Sequence, residues 1–188
     1  GKINYTVWSD VFVCPECTSE VIFWETAVDK EAGSVRDEFP CLHCGAMLTK
    51  RRMERAWVSK HDSSIKKTIK QAKQVPVLIN YSVGNKRFEK SPDAFDRALI
   101  QKIEELDIPY WFPTDRMPEG EESRRNDDIG LTHVHHFYTN RNKYLLSTFT
   151  TLARRSVFQQ QLLFVFTSAH QYLNRLCRLH IGNHFHRK

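Results

Sequence analysis

A chain of 188 residues, 40% hydrophobic and 27% charged, is long enough for one good core or for a small module followed by a helical domain. It has no uninterrupted apolar run of about 18 residues and no signal-peptide pattern, which argues against a helical membrane protein and leads us to expect a soluble, cytoplasmic one. The net charge of +6 is unevenly spread: Lys50 to Lys90 holds twelve Lys/Arg against Glu54, Asp62 and Glu89, so the rest of the chain is net negative by three.

The N-terminal strings Tyr5-Thr6-Val7-Trp8 and Val11-Phe12-Val13 are rich in β-formers and lead into Cys14-Pro15-Glu16-Cys17. Val21-Ile22-Phe23-Trp24 is the next expected strand. Ala32-Gly33 breaks the pattern, and Val35 to Phe39 returns to a second pair, Cys41-Leu42-His43-Cys44. Two Cys-x-x-Cys pairs separated by 23 residues can bring four thiolates to one tetrahedral ion at about 2.3 Å. Gly45 suits the positive φ that such a knuckle often needs. The expectation is a structural zinc held by Cys14, Cys17, Cys41 and Cys44. A closed four-sulfur site leaves no position for a substrate, so this zinc would fold the chain and carry no chemistry. Trp8, Phe12, Phe23 and Trp24 are either base-stacking platforms or, more simply, cover for so small a ribbon. Cys177, left over in an apolar stretch, reads as a buried small hydrophobe.

Lys50 to Trp57 is basic and compatible with a strand or a short helix. Val75 to Val83 alternates as a strand, and Gly84-Asn85 would turn it back along Lys86-Arg87-Phe88. Ser91 as N-cap and Pro92 in the first turn start a helix with Phe95, Leu99, Ile103 and Leu106 as its apolar stripe. Pro109 to Gly130 is a long charged connection, either an ordered substrate loop or a solvated one. Alternation over Leu131–Tyr138 would place His133 and His135 on one side of a strand, a weak hint of a second metal site with no third ligand supplied by spacing. Thr139 can cap a helix carrying Leu145, Phe149, Leu152 and Ala153. Val157 to Ile181 reads as a long apolar helix with Gly182 as C-cap.

These elements give an α+β class: an N-terminal antiparallel zinc ribbon and β-hairpins, then a mainly helical C-terminal part. The expected divisions are a zinc ribbon at 1–49, a basic β-rich segment at 50–90, a helix with a charged loop at 91–130, and a strand with two apolar helices at 131–188. No glycine-rich phosphate loop, dinucleotide fingerprint, deaminase motif or nucleophile–base pair is present. The His135-His136 pair lies downstream of both cysteine pairs, which does not suit an HNH-type nuclease.

The strings Tyr5 to Asp10, Arg36 to Cys41, Gln74 to Tyr81, Pro109 to Pro113, Pro118-Glu119-Gly120, Arg124 to Asp127 and His135 to Thr139, with the two knuckles, carry a resemblance. The chain resembles the middle, target-recognition section of prokaryotic DNA methyltransferases that modify the exocyclic amino group of adenine or cytosine and carry a zinc-ribbon insertion. The Asp-Pro-Pro-Tyr-type catalytic loop and the Phe-x-Gly-x-Gly-type cofactor turn of such enzymes are both absent. The resemblance therefore implies a section of a longer enzyme, inactive alone, with S-adenosylmethionine bound only in the parent and the catalytic and cofactor halves as its partners. It further implies that Phe137, Tyr138, Thr139 and Arg141 border the methionine end of that cofactor.

Double-stranded DNA is the expected ligand. Lys50, Arg51, Arg52, Arg55, Lys66, Lys67 and Lys70 would meet phosphates, and Arg116, Arg124, Arg125 and Asn126 would meet base edges. Two other expectations stand beside this one. The ribbon and apolar helices form a protein–protein module or dock a second copy, or His133, His135 and His136 build a metal enzyme.

Overall fold

The computed structural model describes residues 1–177 and 179. The protein is α+β with antiparallel strands, and the chain divides into two units. The first contains Gly1–Lys60 and Lys70–Arg97; the second contains His61–Ile69 and residues 98–177.

The first unit is built on one long strand, β1 (Lys2–Val13). Its first part pairs antiparallel with β10 (Gln74–Val83), in register from Lys2↔Ser82 to Asp10↔Gln74. Irregularities between Ile3 and Tyr5 and between Val7 and Trp8 interrupt that ladder. Its last residues pair with β2 (Glu20–Ile22) and with β7 (Glu54–Arg55). The expected hairpin is present: β10 turns at Gly84, φ +59°, and pairs with β11 (Lys86–Lys90). Alternation in β10 buries Val77 and Ile79, as a half-buried strand requires.

Phe23-Trp24 does not extend the β2 strand. It opens a short helix, α1 (Phe23–Ala27), which buries Trp24, Thr26 and Ala27. Two small hairpins follow, β3 (Val28–Asp29) with β4 (Ser34–Val35) and β5 (Glu38–Pro40) with β6 (Met47–Thr49). The core joins Phe12, Val21, Ala27, Phe39, Leu48 and Met53 to Cys14 and Cys41. Phe12, Phe23 and Phe39 meet ring to ring at 5.8 Å centroid spacing, so Phe12, Phe23 and Trp24 cover the ribbon and are not free platforms. Lys50–Arg52 is a single 3-10 turn.

A further hairpin, absent from the sequence expectation, pairs β8 (Trp57–Asp62) with β9 (Lys67–Ala72). Most of it is solvent-exposed on both faces. Helix α2 (Ala94–Glu104) starts later than expected. Asp93, not Ser91, is its cap: Asp93 Oδ1 accepts the Asp96 N–H, and Asp96 Oδ2 accepts the Asp93 N–H, a reciprocal capping box. The expected apolar stripe is largely exposed, with Phe95 at 77%.

In the second unit, Pro109 to Gly130 is an ordered excursion containing helix α3 (Glu121–Asp127). Its base is closed by Met117 N–H to Thr132 O and Val134 N–H to Asp115 O. The segment after Leu131 is not a strand. A single bridge, Arg116 to His133, is followed by a 3-10 turn over Val134–Phe137. Thr139 then caps α4 (Asn140–Arg154) by accepting the Asn142 N–H, as its position suggested. α5 (Gln159–Ala169) packs on α4 through stacked Phe149 and Phe166. The helix expected over 157–181 ends at Ala169 and is followed by a 3-10 turn, His170–Tyr172. Cys177 is exposed, not buried. The expected cap at residue 182 lies outside the described residues. No helix among the described residues is long and apolar enough to cross a membrane.

Candidate metal centre

The two cysteine knuckles share one backbone frame. Cys14 N–H donates to Ser19 O and Thr18 N–H to Cys14 O; Cys41 N–H donates to Ala46 O and Gly45 N–H to Cys41 O. Each frame turns at a residue with positive φ, +58° at Thr18 and +76° at Gly45. The expectation for Gly45 therefore holds, while Thr18 fills the same role without glycine's freedom. β1 and β2 flank the first knuckle, and β5 and β6 flank the second.

The four sulfurs converge within 4.8 Å of one another. Cys14 Sγ lies 3.8 Å from Cys44 Sγ, and Cys17 Sγ lies 3.8 Å from Cys41 Sγ. A regular tetrahedron with metal–sulfur bonds of about 2.3 Å has edges of about 3.8 Å, so the sulfurs stand where such an ion would need them. Their acidities differ. Hydrogen bonds from Ser19 bring the Cys17 thiol down to about 6, and the Cys44 and His43 N–H groups lower Cys41. The Ala46 N–H also lowers Cys44, but burial and the three neighbouring sulfurs push it up to about 12. Crowded thiolates resist the last ionisation, and a divalent cation relieves that repulsion.

The basic residues named from sequence separate into two groups. In Lys50–Lys90, the half-buried cations are Arg55, Lys73 and Lys90, and each is paired. Arg55 meets Asp10 at 2.8 Å and lies 5.4 Å from the Phe12 ring centre; Lys73 meets Glu20 at 2.7 Å; Lys90 meets Asp96 at 2.6 Å. Arg55 is thus part of the ribbon's own packing. Lys50, Arg51, Arg52, Lys66, Lys67 and Lys70 are exposed. The Lys50 ammonium sits over Phe23 at 4.8 Å and that of Lys70 over Trp57 at 5.0 Å, which orients them without neutralising them. Arg52 approaches Glu16 only at 3.8 Å.

In the second unit Arg116 is bidentate to Asp127 at 2.9 and 2.6 Å and also donates to Thr132 O, so its fork is occupied in closing the α3 excursion. Arg125 pairs on the surface with Glu122, Arg124 is exposed, and the Asn126 carbonyl accepts from Ile129 and Leu131. Phe137, Tyr138 and Thr139 are half-buried, and Arg141 is exposed on the first turn of α4.

The arrangement that sequence reasoning missed is a second cluster. His135 Nε2 and His136 Nε2 reach Asp62 Oδ2 at 2.7 and 2.9 Å. The expected pairing of His133 with His135 is replaced by two consecutive histidines, because a tight helical turn does not send neighbouring side chains to opposite faces as a strand does. Burial alone would raise the Asp62 carboxyl, but the two imidazoles and the Ser64 N–H hold it well below the usual carboxylate range. Burial lowers both histidines, His136 to about 4, against the pull of Asp62. His133 stays beside them, its Nδ1 at 2.8 Å from the Thr132 hydroxyl. The only sequence signal was the Thr-His-Val-His-His string; nothing marked Asp62, 73 residues before His135, as its partner.

Comparison with family models, curated proteins and solved structures gives no match.

Proposed function

We propose that this chain is a DNA-recognition region of an S-adenosylmethionine-dependent DNA methyltransferase, with a zinc ion in its four-cysteine site. Zinc suits four thiolates at tetrahedral spacing, and the closed donor set gives the ion a folding role. The observation that carries the DNA reading is the division among the basic residues. Within Lys50–Lys90 the half-buried Arg55, Lys73 and Lys90 are held by carboxylates, while Lys50, Arg51 and Arg52 face solvent directly after the second knuckle's hairpin. Exposed cations free to meet phosphate oxygens are what a phosphate backbone requires. The methyltransferase assignment rests on the sequence resemblance.

The test is duplex binding by the zinc-loaded chain across a salt series. Binding should weaken steeply with salt, and Lys50→Ala, Arg51→Ala and Arg52→Ala together should reduce the slope of log K against log salt by about 0.9 for each phosphate no longer neutralised. Absence of duplex binding by the folded chain at low salt would refute the reading.

A second reading has its own support. In the α4–α5 pair, Leu152 is 61% exposed, Phe158 62% and Phe164 74%, which favours a protein-docking role for the second unit. Light scattering on the same sample separates the two: a stable oligomer indifferent to DNA supports this one.

A further inference from the structure

We propose that Asp62, His135 and His136 form a second metal site, for a divalent ion of the zinc class, that ties the tip of the β8–β9 hairpin to the 3-10 turn at Val134–Phe137. This inference is independent of the DNA reading. The donors are two imidazole nitrogens and one carboxylate oxygen, all within 4.8 Å of one another. They are among the least accessible polar side chains of the second unit: His135 is 1% exposed, His136 3% and Asp62 9%.

A buried carboxylate needs a compensating positive charge. Among the described residues Asp62 has no Lys or Arg at ion-pair distance, only the two rings. A proton on one ring is one way to supply the charge. It is opposed by crowding, since the His133, His135 and His136 centroids lie 4.4 to 5.8 Å apart. A divalent ion uses both neutral Nε2 lone pairs and the carboxylate at once.

The surroundings suit it. Asp62 keeps Oδ1 on the Ser64 N–H and leaves Oδ2 for the ion; His136 Nδ1 accepts the Thr132 N–H at 3.3 Å, so binding an ion through Nε2 requires the ring proton to shift to Nδ1, where the Thr132 hydroxyl, also at 3.3 Å, would accept it. Bonds of about 2.0–2.1 Å would set tetrahedral ligand edges near 3.3 Å, so the nitrogens must move outward by about half an ångström from their present positions beside Asp62. The low exposure decides the role. No macromolecular substrate reaches these atoms, so a fourth position would hold at most a water, and the ion is structural.

The experiment is a cobalt(II) titration of the full, metal-stripped chain under reducing conditions, followed by absorption. One equivalent should bring sulfur-to-cobalt charge-transfer bands in the near ultraviolet. A further equivalent should add only weak visible bands of a nitrogen–oxygen site. Asp62→Asn and His136→Gln should each remove the second set and leave the first, and Cys14→Ser with Cys44→Ser should do the reverse. Saturation of the unsubstituted chain after the sulfur site alone would overturn the proposal, whether or not the variants fold. So would a second equivalent that survives both Asp62→Asn and His136→Gln, because it would then sit on other histidines.

Discussion

The two units bury different things. Among the described residues, the first hides Val11, Phe12, Val21, Trp24, Phe39, Leu48, Val77 and Ile79, while the second hides only Leu131 and Ala153 among its hydrophobics. Both bury polar groups, Ser9, Thr26, Gln71, Asn80 and Asp96 in the first and His135, His136 and Ser147 in the second, with Asp62 at the edge of burial, but in the second these outnumber the buried hydrophobics. The first unit is thus an apolar core arranged around sulfur. The second is pinned by directed contacts, Asp62 to two imidazoles and Arg116 to Asp127. Apolar packing is non-directional and tolerates small shifts; a buried polar cluster tolerates few, since each unmade hydrogen bond leaves a desolvated group behind.

That contrast can be broken most directly by removing metal. Chelation at neutral pH, or Cys14→Ser with Cys41→Ser, should abolish cooperative unfolding of the first unit, as followed by Trp24 fluorescence and amide exchange in β5 and β6. If those amides stay protected after the ion is gone, the apolar core suffices and the sulfurs are not the organising feature. A smaller effect separates packed from unpacked aromatics. Phe39→Ala, at a site 1% exposed, should cost about 3–5 kcal/mol in a urea titration. Phe164→Ala, at 74% exposure, should stay within about 0.5 kcal/mol unless a partner or second copy covers α5. The smallest effect compares the knuckles themselves. Gly45→Ala should destabilise by about 1 kcal/mol through backbone strain alone, because nothing lies within 4 Å of the added carbon. Thr18→Gly should stabilise by a similar amount, about 1 kcal/mol, by relieving a β-branched residue of positive φ.

The sulfur site was legible because each half of it is local. Cys-x-x-Cys followed by a turn residue brings two ligands together within one hydrogen-bonded frame, and only the meeting of two such frames is long-range. The β10–β11 hairpin was legible for a similar reason: Val77 and Ile79 alternate, and Gly84-Asn85 marks the turn. The β8–β9 hairpin was not. With both faces exposed, Val58, Ser59, Lys60 and His61 carry no alternation to detect, and its turn passes through Lys66 at φ +54° where a glycine would have announced it. Missing that hairpin hid Asp62, and without Asp62 the histidines looked unpartnered. The apolar spacing over α2 and over Val157–Ile181 marked stripes that could fill a core or dock a partner, and Phe95, Phe158 and Val165 are exposed, since periodicity reports that a face is apolar and not that anything lies against it.

The single strand β1 joins two tasks in one stretch of backbone. Its Lys2–Asp10 part is laddered to β10, and Cys14 follows directly on its last residue, Val13, four residues beyond Asp10. No loop separates that ladder from the first knuckle, so release of a bound ion is expected to be felt along β1, whose register is irregular at Val7 and Trp8. A change in Trp8 emission on chelation would be the optical sign of that coupling, supplied by the chain itself rather than by a label.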